Sequence, residues 1–121
     1  MVKPLKKRIR WQIQSEVIRR RWEDYSPDRT ISVRVSIISG KMIDFAVVLR
    51  VPVARELREI ARYDYAHGFI HIDIQRESGE PLRRQYRDKI PLKQAVRYAT
   101  DDFQANWQTY LDYYRGKKAN L

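Results

Sequence analysis

The sequence predicts an α+β fold: an antiparallel sheet of four to six strands with one long C-terminal helix packed on one face. Three observations carry this. Leu is scarce while Ile, Val and Tyr are common, a composition that fits the pleated surface of a sheet. Apolar and polar residues alternate through residues 31–51 and again through 61–74, the period of half-buried strands. After Pro91 the apolar spacing becomes helical and stays so to Tyr114,.

Residues 1–8 form a flexible basic arm, with Pro4 discouraging early structure,. Residues 9–121 form a single α+β domain. Within 9–25 two patterns compete. Ile9, Trp11, Ile13 and Ser15 alternate as in a strand, whereas Ile9, Ile13, Val17, Ile18 and Trp22 suit a short helix,. The strand is preferred from Glu16 to Asp24, because Ser26-Pro27-Asp28-Arg29 follows as a turn,. Ile31, Val33, Val35 and Ile37 then alternate with Ser32, Arg34 and Ser36 until Gly40-Lys41 ends the strand. The next strand, Met42 to Val51, carries Ile43, Phe45, Val47, Leu49 and Val51 on one face. Its other face mixes Asp44, Ala46, Val48 and Arg50, which points to a central strand covered on both sides,. Pro52 interrupts it, and Val53 to Glu56 is expected to be an irregular connector.

The stretch from Ile60 to Gln75 predicts a β-hairpin closed at His67-Gly68, where Gly tolerates positive φ,. Closure there sets Ala66 opposite Phe69, Tyr65 opposite Ile70, Tyr63 opposite Ile72 and Ala61 opposite Ile74, one apolar face. The other face sets Asp64 opposite His71 and Arg62 opposite Asp73. A slip of one residue would put charges against isoleucines, so the pattern specifies the register. Glu77-Ser78-Gly79-Glu80-Pro81 is a second turn,. With Ser78-Gly79 as the loop, Leu82 to Lys89 returns as a basic edge strand, Tyr86 near His71 and Arg84 near Asp73,.

Pro91 opens the helix at its first position. Leu92, Ala95, Val96, Ala99, Phe103, Trp107, Tyr110, Leu111 and Tyr114 form one apolar stripe, and Gly116 stops it,. Asp101-Asp102 is expected on the polar flank, and Tyr110, Tyr113 and Tyr114 in core packing or a dimer contact. The stripe needs a receiver, and the Tyr/Ile face of the hairpin supplies it. The Arg62, Asp64, His71 and Asp73 quartet then lies on the opposite face, open to solvent or covered by the N-terminal segment or a second subunit.

Composition bounds the function. The chain has 121 residues, no Cys and a net charge of +10. That excludes a disulfide framework and any thiol site, and it agrees with a cytoplasmic protein. No apolar run approaches the ~20 residues of a membrane span, and no signal-type apolar core follows the basic start. The charge points to a polyanionic partner, such as RNA, DNA, an acidic protein or an anionic surface, or else serves solubility. Gly-rich phosphate loops, nucleophile elbows and dinucleotide fingerprints are all missing from the sequence, which speaks against a conventional nucleotide-binding enzyme.

His67, His71, Asp64, Arg62 and Asp73 hold the parts of a metal-independent ribonuclease: a base for the 2′-hydroxyl, an acid for the leaving group and a cation for the phosphate charge. The structural alternative is a pair of cross-strand ion pairs, Arg62–Asp73 and Asp64–His71, that hold register. No metal-ligand spacing is matched and no cofactor is expected. Arg8, Arg10, Arg19, Arg20, Arg21, Arg83, Arg84 and Arg87 are the candidate phosphate contacts, with Trp11 and Trp22 interleaved for stacking or for the core,.

The run Arg62-Tyr63-Asp64-Tyr65-Ala66-His67-Gly68, continued by His71 and Asp73, resembles the central motif of a small uncharacterised prokaryotic domain family, Arg-Tyr-Asp-x-Ala-His-Gly-x-x-His-x-Asp. The helix spacing Ala99-x-x-Asp102-x-x-x-x-Trp107-x-x-Tyr110 belongs to the same resemblance, which covers roughly Phe45 to Tyr114. The basic N-terminal extension departs from the shorter family pattern. The motif is also similar to small toxin components of toxin–antitoxin pairs, and that likeness implies RNA-directed toxicity and a neighbouring antitoxin. Two functions follow as expectations. One is a small nucleic-acid-binding or toxin-like domain that acts on RNA in preference to DNA. The other is a non-enzymatic module that docks an acidic protein, alone or as a homodimer.

Overall fold

The computed structural model describes residues 17–66, 68–85 and 89–117. The expected arm at 1–8 and the first part, 9–16, of the ambiguous stretch 9–25 lie outside those residues; the rest of it, Val17–Tyr25, is a strand. The sheet is a six-stranded antiparallel meander in sequence order: β1 (Val17–Tyr25), β2 (Thr30–Ile38), β3 (Lys41–Val53), β4 (Glu56–Ala66), β5 (Phe69–Ile74) and β6 (Leu82–Gln85). One helix, α1 (Leu92–Tyr114), covers one face. Among the described residues no helix is long and apolar enough to cross a membrane.

The alternation read from the sequence builds the core. Val33, Val47, Tyr63 and Ile72 stand side by side across β2 to β5 and are all buried. Ala95 and Ala99, both with no exposed surface, let α1 approach the sheet closely, and Phe103 fills the gap between them and Tyr110. The Phe103 ring sits 4.9 Å from Tyr63 and edge-on to Tyr110 at 5.3 Å, geometries that aromatic pairs favour.

The β4–β5 hairpin has the register that the side-chain pattern specifies, from Ala61↔Ile74 to Ala66↔Phe69. Elsewhere the structure departs from expectation. Val53 to Glu56 is a tight turn rather than an irregular connector. Ala54 and Arg55 take φ of 50° and 69°, the left-handed pair of a two-residue hairpin. Pro52 stays within β3, opposite Leu57. It is tolerated because β2 pairs only as far as Arg50, so its missing donor faces no neighbour.

The β5–β6 register is also one residue away from the expected one. Ile74 faces Leu82 and Asp73 faces Arg83, which sends Leu82 toward the core and Arg84 to the helix side. Leu82 decides this, because the expected register would have turned it away from the apolar face. Pro91 is the N-cap of α1, with ψ of 142°, rather than its first helical residue.

Asp102 differs most. It leaves the solvated flank and accepts hydrogen bonds from Tyr63 Oη at 2.6 Å, from Tyr110 Oη and from Asn106 Nδ2 at 2.8 Å. A carboxylate beside an apolar stripe is stable there because its oxygens receive donors.

Candidate functional site: the open face of the sheet

Because side chains alternate along a strand, the residues not facing α1 form a second, polar surface. The registers bring together Arg19, Arg21 and Glu23 of β1, Ser32 and Arg34 of β2, and Ala46, Val48 and Arg50 of β3. They continue with Arg62 and Asp64 of β4, His71 and Asp73 of β5, and Arg83 of β6. A bulge at Leu49/Arg50 passes over Ile60, so Glu59 pairs with Arg50 and turns to this face as well,.

One end of the surface is an open groove. Arg21, Arg34, Arg50 and Arg62 line it with Glu23, over a floor that includes Ser32, Ala46 and Val48. Arg50 Nη1 donates to Ser32 Oγ at 2.9 Å, and that hydroxyl donates to Glu23 Oε1 at 3.3 Å. Arg21 and Arg34 face each other across the β1–β2 ladder, and among the described residues neither forms an ion pair. Two like charges directly opposite cost stability and form a ready cradle for an anion. Arg62 approaches Glu59 only at 4.0 Å.

The other end holds the hairpin residues. Asp64 lies opposite His71, and Arg62 opposite Asp73, in the ladder. The expected Arg62–Asp73 ion pair is replaced: Arg83 Nε meets Asp73 Oδ1 at 2.9 Å, a consequence of the shifted β6 register. Asp64 Oδ1 is buried and has no hydrogen-bond partner among the described residues. Burial, followed by the nearby Asp73 charge, raises the Asp64 pKa above its usual 3.8, against the opposing pull of Arg83, His71 and Arg62. Within the described residues no group of three or more His, Asp or Glu side chains is arranged to hold a metal ion.

The candidates drawn from the sequence therefore separate. Arg19, Arg21, Arg62, Asp64, His71, Asp73 and Arg83 share the open face. Arg20, opposite Val35, and Arg84, opposite Ile72, are on the helix side. Arg8, Arg10, His67 and Arg87 lie outside the described residues. Arg34, Arg50, Ser32 and Glu23 line the groove although no motif singles them out. Their signal was the polar phase of the alternation in β2 and β3, which becomes a site only once the registers align it.

The model of one protein family, Domain of unknown function (DUF7718), matches residues 14–120. No curated protein and no solved structure matches the chain.

Proposed function

We propose, for a chain that belongs to the DUF7718 family over residues 14–120, that the open face of the sheet binds the phosphate backbone of single-stranded nucleic acid, RNA in preference to DNA. One observation carries this reading: Arg21, Arg34, Arg50 and Arg62 converge on one groove in which Glu23 is the lining carboxylate. Arg forks suit phosphate oxygens, and the net charge of +10 supplies long-range attraction,. A sheet surface accepts an extended strand and offers no helix to enter the major groove of a duplex, so a single strand fits better. The corresponding setting is the cytoplasm.

Fluorescence anisotropy with single-stranded RNA, single-stranded DNA and duplex of one sequence tests the reading at several salt concentrations. Binding that falls steeply with salt, strongest for single-stranded RNA, supports it. Salt-insensitive binding or none overturns it, and a stoichiometric complex with an acidic protein in place of RNA favours a docking module.

The buried Asp64 Oδ1 beside the groove, without a hydrogen-bond partner among the described residues, favours a second, toxin-like reading in which bound RNA is cut. Burial raises the Asp64 pKa, which suits it as the acid, and the His71 imidazole opposite it in the ladder takes the part of the base,. His71 would take the 2′-hydroxyl proton as the 2′-oxygen attacks phosphorus. Asp64 would give a proton to the departing 5′-oxygen, and Arg62 would offset the phosphate charge, leaving a 2′,3′-cyclic phosphate and a 5′-hydroxyl. Cleavage that persists in chelator and disappears in His71→Ala, with binding intact, supports this. Binding without cleavage leaves the groove as the function.

A further inference from the structure

We propose that β1 is a dimer edge, on which a second copy of the chain adds antiparallel about a two-fold axis at Trp22. Among the described residues β1 ends the sheet, and Val17, Ile18, Trp22 and Tyr25 are exposed on it, Trp22 by 49%. Its sequence is Val-Ile-Arg-Arg-Arg-Trp-Glu-Asp-Tyr. Basic residues precede the tryptophan and acidic ones follow it.

The phase of the ladder fixes which groups are free. The Ser26 N–H donates to the Arg29 carbonyl at 2.9 Å, closing the β1–β2 turn. Counting back from it, Asp24, Trp22, Arg20 and Ile18 bond to β2, while Tyr25, Glu23, Arg21 and Arg19 turn their backbone groups to the free edge. A two-fold axis normal to the sheet pairs residues of like phase, so it passes through a residue. Centred on Trp22, it sets Arg21 opposite Glu23, Arg20 opposite Asp24 and Arg19 opposite Tyr25 of the other copy.

Each Arg then meets an acid or an aromatic ring, and Trp22 meets Trp22 at a non-hydrogen-bonded pair, where side chains stand closest. Centring on Arg20 or Arg21 sets Arg against Arg, and centring on Glu23 sets Glu against Glu. An edge protected by charge of one sign repels its own copy in every register; this edge is complementary to itself in one. Asp24 already pairs with Arg29 at 3.2 Å, so Arg21–Glu23 and the tryptophan pair carry most of the selection. The dimer would also bring the two Arg-lined grooves together, a consequence that alone rests on the reading of the groove as a nucleic-acid site.

Analytical ultracentrifugation of the full chain tests the proposal, with circular dichroism to follow folding. The wild type is expected to be dimeric. Arg21→Glu and Glu23→Arg should each lose the dimer, and the double swap should restore it. Glu at position 21 would face Arg34 in its own chain, so its loss of the dimer is not a loss of fold. The chain has no cysteine, so Trp22→Cys places a single thiol on the axis, and oxidation should link two copies there. A monomer at every concentration, a dimer indifferent to both charge variants, or crosslinking by Arg21→Cys in place of Trp22→Cys overturns the proposal.

Discussion

The Tyr63 hydroxyl donates a 2.6 Å hydrogen bond to the Asp102 carboxylate, joining the hairpin motif of the sheet to the helix that covers it. Tyr110 donates to the same oxygen and Asn106 to the other. The two sequence patterns, one in β4 and one in α1, are thus halves of a single anchor. Tyr63 points into the core with no exposed surface, and by the alternation of the strand its neighbours Arg62 and Asp64 point the other way. The anchor therefore fixes the strand that presents the site.

Tyr63→Phe should cost about 1.5–3 kcal/mol, the range for a hydrogen bond to a charged group. Asp102→Ala should cost more, because it removes the acceptor that both tyrosine hydroxyls share,. Urea denaturation of both variants measures this. A Tyr63→Phe midpoint equal to the wild type would mean that packing alone holds α1 on the sheet.

Arg34→Ala and Arg50→Ala should each weaken RNA binding and reduce the slope of log affinity against log salt by about 1, one phosphate contact apiece. Arg97, exposed on α1, is the comparison: Arg97→Ala should leave the slope nearly unchanged. Equal effects of all three would assign the binding to net charge rather than to the groove.

The β3–β4 turn carries a strain that the sequence does not announce. Arg55 holds φ at 69°, where a residue with a Cβ pays on the order of 1 kcal/mol. Arg55→Gly should raise stability by about that amount, less the entropy that glycine adds to the unfolded chain. A rise in the thermal midpoint of a few degrees would show it. A fall would mean that Arg55 makes contacts that outweigh its backbone cost.

Much of this fold was legible because period-two burial is unambiguous where one face is apolar. Ile31 to Ile37 and Tyr63 against Ile72 needed no tertiary knowledge, and the hairpin register followed from which side chains tolerate each other. What was not legible depends on pairings between strands or on partners brought from afar. Ala54-Arg55 carries no turn residues, so Pro52 looked like the end of a strand. Asp102 looked solvated until Tyr63, thirty-nine residues earlier, supplied a donor. The groove arginines Arg34 and Arg50 are ordinary polar-phase residues in their own strands. Only the β1–β4 registers set them beside Arg21 and Arg62.

Asp64 gives the pH prediction. Burial raises its pKa in the folded state above the usual 3.8, so the folded chain holds that proton more tightly than the unfolded chain does. Below 3.8 both states are protonated, and the stabilising difference is present in full,. As pH rises through the raised value, the unfolded state ionises freely, the folded state does so at a cost, and the contribution is lost. Asn cannot ionise, so Asp64→Asn should be more stable than the wild type near neutrality and should lose that advantage in acid. Asp73 is the second cause of the shift, so Asp73→Asn should narrow the window over which the two curves separate. Urea midpoints at about pH 7 and about pH 3 measure the difference. An Asn variant no more stable than the wild type at about pH 7 would mean that ionised Asp64 receives a compensating partner in solution, and the case for it as a proton donor to RNA would fall with it.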